Sequence, residues 1–316
     1  MINNQDKKYL ELNIDREFGE IINLYFDFFK ANIKKFTNIF LSYNGIFLIG
    51  LVLVSYLLVS GILTMVGNEQ SLLMDSMETT GQGSWIYLAV GGILFSLIFF
   101  TVAVMNYSLS TSYMIHYEEH KGTGFEKSDV WTMIIDNLGK IVVFILILIV
   151  LFFGLMIVAL ILAIIPLVGM LAQYVIQYFL MAWAGVSFFA LLKENRSVTD
   201  SLQEGWNLVY KNFWRAVGVN FILGLLIGLL FMVVLMVPGI LIGIYTFHVV
   251  QSGVDISGSV VPTLVYTLGT CILLITVVYS QCLSQFVNGI LYFALREKTY
   301  NLHARSKIDQ IGSQDL

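Results

Sequence analysis

Residues 197–239 read SVTDSLQEGWNLVYKNFWRAVGVNFILGLLIGLLFMVVLMVPG, and this stretch decides the fold. Its first part, about Ser197–Arg215, is short and amphipathic and carries Trp, Tyr and basic residues. From Ala216 onward more than 20 residues have no charge, which is enough for one helical crossing of a bilayer. We interpret the first part as an amphipathic helix in the membrane interface and the second as a transmembrane helix. An interfacial helix that directly precedes a span is called a lead-in segment below.

The composition indicates an integral membrane protein. Of the 316 residues, 58% are hydrophobic and 12% are charged, and the mean hydropathy is +0.82. Soluble domains average about 25% charged residues, so an ordinary soluble enzyme is excluded. Because the chain has no basic domain and no basic patch with interleaved aromatic residues, we expect no nucleic-acid partner.

Six uncharged runs predict an all-α polytopic fold in which residues 15–295 form the transmembrane domain. A polar tail, expected to be mobile, precedes it at 1–14, and a second tail follows at 296–316. We expect three hairpins, each preceded by an interfacial amphipathic helix, with a tight turn at Pro166–Gly169. The predicted spans are about 37–66, 85–117, 141–165, 171–192, 216–238 and 263–295.

The basic residues predict the orientation of these spans. All 17 Lys and Arg lie before the first span (6), after the second (3), after the fourth (4) or after the sixth (4). The positive-inside rule then places both termini in the cytoplasm of a bacterial cell, with the protein in the inner membrane. We expect no cleavable signal peptide, so the first helix remains as an anchor.

The three lead-in segments share one pattern. Each has an asparagine six residues after an aromatic residue and three residues before a base. We expect the aromatic residue at headgroup level, the asparagine at the bend between the two helices, and the base against lipid phosphate. The pattern predicts an internal threefold repeat, although any segment beside a membrane offers such residues. Its members are Phe26, Asn32 and Lys35; Trp131, Asn137 and Lys140; and Trp206, Asn212 and Arg215.

The stretch NRSVTDSLQEGWNLVYKNFWRAVGVNFILGLL, the later VPGILIGI and the early FGEIINLYFDFFKANIKKF resemble one known family. They look like the membrane domain fused to some bacterial glycerophosphodiester phosphodiesterases and its free-standing six-helix relatives. The resemblance covers most of the chain and implies a six-helix inner-membrane protein. It implies no catalytic residues, because the phosphodiesterase chemistry belongs to a separate soluble domain.

One pentapeptide has the spacing of a metal-binding motif. His116, Glu119 and His120 match H-x-x-E-H, which places both imidazoles on one helical face. The position also suits ordinary amphipathic residues where a span exits into water, and we expect neither a metal nor a cofactor. His248 and His303 are isolated and are interpreted as solvated or interfacial side chains.

Amides form polar stripes on two spans, at Gln281, Gln285 and Asn288 on the sixth and at Gln173 and Gln177 on the fourth. Such amides hydrogen-bond neighbouring helices or line a substrate path, and both interpretations stay open.

We therefore predict a non-catalytic multi-pass membrane protein that organises lipids or partner proteins at the cytoplasmic face. Membrane lipids are the expected partners, with other membrane proteins or a second copy of the chain as further partners. The alternative is a carrier of a lipid or small amphiphile, which predicts a cavity lined by Gln281, Gln285 and Gln173. A second alternative is a metalloenzyme at the membrane edge that uses His116, Glu119 and His120.

Overall fold

The computed structural model describes residues 9–69, 81–165, 167–252 and 260–302, and it confirms the predicted all-α fold. Within these residues there is no β-strand, and six of the helices are long and apolar enough to cross a membrane. The helices are α1 (Phe18–Glu69), α2 (Gly81–Glu119), α3 (Lys127–Asp136), α4 (Leu138–Leu162), α5 (Val168–Lys193), α6 (Val198–Lys211), α7 (Phe213–Gln251) and α8 (Val260–Tyr300). Several predicted features lie outside the described residues: Pro166, His303 and the segments 1–8, 70–80, 253–259 and 303–316.

Two of the three lead-in segments form separate helices, and the first does not. Asn137 and Asn212 leave the helical conformation, with φ −106° and −124°, and separate α3 from α4 and α6 from α7. Helix α1 continues through Asn32 without a break. The side chain of Asn32 is buried and accepts a hydrogen bond from Tyr113 Oη at 2.9 Å, which holds this turn against α2.

The fifth span was predicted to end near Pro238, but α7 continues through this proline to Gln251. A proline inside a helix removes one backbone hydrogen bond. The uncharged residues that follow Pro238 keep the helix favourable in an apolar environment, where a chain must satisfy its backbone internally. The sequence signal for a helix end was therefore outweighed by the apolar context.

The helices divide into two units. The basic unit contains Met1–Ile39, Tyr107–Leu226 and Cys282–Leu316, and the apolar unit contains Phe40–Asn106 and Ile227–Gln281. Every Lys and Arg among the described residues lies in the basic unit. The segregation of charge that predicts the topology therefore also follows the division of the fold.

The core of the basic unit is formed by the ends of α2, α5 and α8. A Cβ added at Gly185 of α5 would overlap the side chain of Asn288 on α8, so the backbone of α5 lies directly against this side chain. Phe189 and Tyr292 stack between the same helices, with ring centroids 5.6 Å apart.

Two ion pairs join the outer ends of these three helices. Lys193 Nζ lies 2.5 Å from Glu118 Oε2, which ties α5 to α2. Arg296 Nε lies 3.1 Å from Glu194 Oε1, which ties α8 to the residue that follows α5.

Helix α6 runs antiparallel along α5. Ser187 of α5 contacts Gly205 of α6. Phe179, two turns earlier in α5, contacts Phe213 at the start of α7. Ser197 caps the start of α6, since its Oγ accepts the Asp200 N–H at 3.2 Å. The helix buries Gly205 and Leu208 against the protein and leaves its aromatic side chains exposed.

The described part of the N-terminal tail, residues 9–14, is packed, unlike the mobile tail that the polar sequence predicts. Leu12 is fully buried, and the Leu10 N–H donates to Tyr117 Oη at 3.0 Å. Asn13 donates to the carboxylate of Glu118. Burial, and then the charge of Glu118, raises the pKa of Tyr9 to about 12, so its phenol stays neutral at physiological pH.

The apolar unit is held by interhelical contacts of its own. The Asn106 side chain donates to the Val278 carbonyl at 3.1 Å, and the Phe40 and Tyr279 rings pack edge to face at 5.1 Å. A Cβ added at Gly50 would lie 3.1 Å from Ile98 Cδ1, and one added at Gly91 would lie 3.2 Å from Leu57 Cβ, so α1 and α2 pack closely at these glycines.

Candidate functional site

The three motif asparagines make the same hydrogen bond. In each case the side-chain N–H donates to the carbonyl four residues earlier: Asn32 to Phe28 at 2.9 Å, Asn137 to Met133 at 2.9 Å, and Asn212 to Leu208 at 3.0 Å. For Asn137 and Asn212 the bond satisfies a carbonyl in the last turn of α3 or α6, which agrees with the expected role at the bend, whereas Asn32 makes it inside the continuous helix α1.

Each of the three motif bases makes a contact within the protein, and contact with lipid phosphate stays a prediction. Lys35 Nζ lies 3.3 Å from the centroid of the Phe125 ring. Lys140 Nζ donates to Asn195 Oδ1 at 2.5 Å. Arg215 donates to Asp15 Oδ1 at 2.8 Å, and its side chain is only 11% exposed.

The partners of these bases follow a cyclic order. Phe125 directly precedes the N-cap of α3, Asn195 lies two residues before the N-cap of α6, and Asp15 lies three residues before α1. The base of each lead-in segment therefore contacts the start of the next one, and the third contacts the first.

The spacing from helix start to motif asparagine relates the first and third lead-in segments. The Glu17 N–H donates to Glu20 at 2.9 Å at the start of α1, and Ser197 and Asp200 pair at the start of α6. The motif asparagine lies 15 residues after this start in the first and third segments, but only 11 residues after Glu126, the N-cap of α3, in the second.

The polar stripe on α8 is used for packing in the basic unit. Gln285 is fully buried and donates to Thr111 Oγ1 at 2.8 Å, and Asn288 donates to Gln285 Oε1 at 3.2 Å. These two amides therefore join α8 to α2. Gln281 Oε1 is buried and has no hydrogen-bond partner among the described residues.

The amides on α5 border a groove. A cavity of about 800 Å³ lies between α4 and α5, with Tyr107 at its side. Its walls are almost entirely aliphatic and aromatic, and Gln173 and Gln177 are its two amides. Gln173 donates to the Ala159 carbonyl at 2.7 Å and so fastens α5 to α4. Gln177 is exposed to the groove and has no hydrogen bond within the described part of the chain.

The groove adjoins a group of aromatic side chains, here named the aromatic cluster: Phe179, Trp183, Trp206, Tyr210, Phe213 and Trp214. Trp183 lines the groove, donates to the Leu202 carbonyl at 2.9 Å, and packs edge to face on Trp206 at 5.9 Å. Trp206 stacks on Tyr210 at 6.0 Å. The groove and the exposed aromatic surface are thus continuous.

The remaining motif aromatics differ in exposure. Phe26 and Trp206 are 45% and 44% exposed, whereas Trp131 is half-buried. Phe26 packs edge to face on Tyr25 at 5.4 Å, and Tyr25 stacks on Phe29 at 6.5 Å, whereas the six-residue aromatic cluster lies at the third lead-in segment. The sequence pattern could not find this difference, because it depends on α5 packing beside α6.

The histidine motif forms a compact group at the end of α2. One ligand atom from each of His116, Glu119 and His120 lies within 4.8 Å of the others. His248 is exposed and lies in the apolar unit.

A comparison of the chain with family models, curated proteins and solved structures gives no match. The resemblance to the membrane domain of glycerophosphodiester phosphodiesterases therefore stays a prediction from the sequence.

Proposed function

We propose that the chain is a non-catalytic inner-membrane protein, with cytoplasmic termini, that binds a phospholipid of the cytoplasmic leaflet. The acyl chain occupies the groove between α4 and α5, and the headgroup lies at the aromatic cluster. The groove, with one unpaired amide inside it, is the observation that carries this proposal.

The helices that border the groove indicate that its occupant is a lipid. Both of its long walls belong to helices that are apolar enough to cross a bilayer. A groove between such helices is surrounded by lipid rather than water, so a lipid acyl chain is the molecule that can occupy it. Its volume falls within the range of about 300–1,000 Å³ that small-molecule sites have.

The depth of Gln177 fits a lipid ester. Trp and Tyr concentrate at headgroup level, which places Trp183 and Trp206 at the membrane surface. Gln177 lies six residues from Trp183, or about 9 Å along the helix. The headgroup region is roughly 5–8 Å thick on each side, so Gln177 lies near its inner boundary, where ester carbonyls can accept its N–H.

An amide left without a partner in hydrocarbon is costly. A lipid ester would remove this cost for Gln177 and orient the bound molecule. Lys211 is exposed beside Tyr210 and adds a positive charge near the headgroup.

The internal repeat belongs to the same proposal. We propose that three copies of a lead-in segment and a hairpin built the basic unit. The shared asparagine bond and the cyclic contacts of the motif bases support this origin. In this arrangement each motif base holds its own copy against the start of another copy, and only the third copy carries the lipid site.

A pair of neighbouring substitutions tests the lipid site. Ile149 lines the groove, and Val150 is 70% exposed and lies outside it. We expect Ile149→Trp to fill the groove and lose the phospholipid that survives delipidation in mild detergent, as measured by native mass spectrometry. Val150→Trp keeps the lipid. Equal retention by both variants, or none by the unaltered protein, would refute the site.

The carrier alternative uses the same groove and differs in movement of the lipid. It predicts transfer of a labelled phospholipid between leaflets of proteoliposomes, whereas a binding protein leaves the label in place. The buried bonds of Gln285 and Asn288 favour the binding role, since they take these amides out of any path.

A further inference from the structure

We infer that His116, Glu119 and His120 form a binding site for a divalent transition metal of the zinc class. The site is independent of the lipid groove and lies where α2 ends. Its ligand atoms converge within 4.8 Å, and His116 Nδ1 lies 3.9 Å from Glu119 Oε2.

The backbone holds the two histidines at helical spacing. Helix α2 ends at Glu119, but the His120 N–H still donates to the His116 carbonyl at 2.9 Å. The turn is then closed by the Gly122 N–H, which donates to the Tyr117 carbonyl at 2.7 Å. Gly122 has φ +84°, a conformation that favours glycine, so the end of the helix is a fixed structure.

Hydrogen bonding prepares His120 as a ligand. Its Nδ1 lies 3.1 Å from the His116 carbonyl, and this contact requires the proton on Nδ1. Nε2 is then the free, unprotonated donor atom. Metal-binding histidines usually have such a bond from the second ring nitrogen, because it fixes the ring and its tautomer.

His116 supplies the observation that points to a ligand. The residue is 9% exposed, and its Nδ1 is buried without a hydrogen-bond partner among the described residues. A buried polar atom without a partner costs free energy of about 1–3 kcal/mol. A metal ion shared with Glu119 and His120 would satisfy this nitrogen.

The surroundings shield the site on one side. The Phe125 ring packs against both imidazoles, with centroid distances of 6.0 Å to His116 and 6.1 Å to His120. Lys35 Nζ lies 3.3 Å from the centroid of the same ring.

The donor set selects the metal. Two imidazoles and one carboxylate suit zinc and its neighbours, whereas magnesium and calcium prefer oxygen donors alone. Three protein ligands leave one position for water. All three ligands lie in the last turn of α2 or directly after it, so a bound ion would stabilise the end of this helix.

Calorimetric titration tests the site on the full chain in detergent after treatment with a chelator. We expect one equivalent of Zn²⁺ to bind saturably and Mg²⁺ not to bind. His120→Gln should lose this equivalent, and because His120 is exposed the variant should fold. His248→Gln, a change of the same kind at an isolated exposed histidine, should bind Zn²⁺ as the unaltered chain does.

Cobalt provides a second measurement. Co²⁺ bound by nitrogen and oxygen donors absorbs visible light, and this absorption should be present in the unaltered chain and lost in His120→Gln. The proposal is overturned if Zn²⁺ binding does not saturate near one equivalent. It is equally overturned if His120→Gln, monodisperse by size-exclusion chromatography, binds Zn²⁺ as tightly as the unaltered chain.

Discussion

Gly205 is the position where one added methyl group should do most damage to the packing of α6 on α5. A Cβ there would overlap Ser187 Oγ and lie 2.8 and 2.9 Å from the backbone nitrogen and Cα of Ser187. A backbone cannot move aside as a flexible side chain can. Overpacking costs about 1–3 kcal/mol, and alanine regains about 1 kcal/mol of helix propensity over glycine. Because these two effects partly cancel, we expect Gly205→Ala to lower the free energy of unfolding by up to about 2 kcal/mol.

The matched control is Gly154→Ala in α4, because nothing lies within 4 Å of a Cβ at that position. It should be neutral or slightly stabilising. Both variants are compared with the unaltered chain by unfolding in mixed micelles, followed through tryptophan fluorescence, since Trp183 and Trp206 lie at the α5–α6 contact. Ser187→Gly combined with Gly205→Ala removes Oγ but not the backbone contacts, so it should restore only part of the loss.

Equal stability of Gly205→Ala and Gly154→Ala would refute the close contact between α5 and α6. Full restoration by Ser187→Gly would show that only the hydroxyl group, and not the backbone, sets the distance between the two helices.

Three further changes test the polar contacts. Gln285→Leu and Thr111→Val should each destabilise by about 0.6–2 kcal/mol, and the double variant by less than their sum, in the same unfolding assay. Arg215→Met should cost about 0.2–1 kcal/mol and speed proteolysis of the N-terminal segment, because Arg215 pairs with both Asp15 and Glu17; undiminished protection would exclude a role for these ion pairs. Gln177→Leu should retain about fivefold less phospholipid, which corresponds to the loss of one hydrogen bond of about 1 kcal/mol. The stability of this variant should be unchanged, and undiminished lipid retention would exclude the ester contact.

The number of spans could be predicted because hydropathy and charge act along the chain itself. A central charge costs about 2.5–3.5 kcal/mol in a span, so uncharged runs and basic connectors are separated in any such sequence. The helix ends were less predictable. Pro238 is a strong signal for a helix end in water, yet α7 continues through it.

The contacts of the motif bases could not be predicted from the same pattern. Lys35 and Arg215 have the spacing of residues that meet lipid phosphate, but their partners, Phe125 and Asp15, are distant in sequence. The amides show the same limit. Gln177 and Gln285 look alike on a helical projection, and only the packing of neighbouring helices leaves one in a groove and buries the other.

The lengths of the helices have a consequence for the surrounding bilayer. From Trp183 back to Val168, α5 has 16 residues, or about 24 Å, which is less than the roughly 30 Å of a hydrocarbon core. From Trp214 to Gln251, α7 has 38 residues, or about 57 Å, which is far more. A helix shorter than the hydrocarbon core thins the bilayer around it. A longer helix tilts, or thickens the bilayer around it. We expect the thinned region to border α4 and α5, where acyl chains are less ordered and exchange into the protein is easiest.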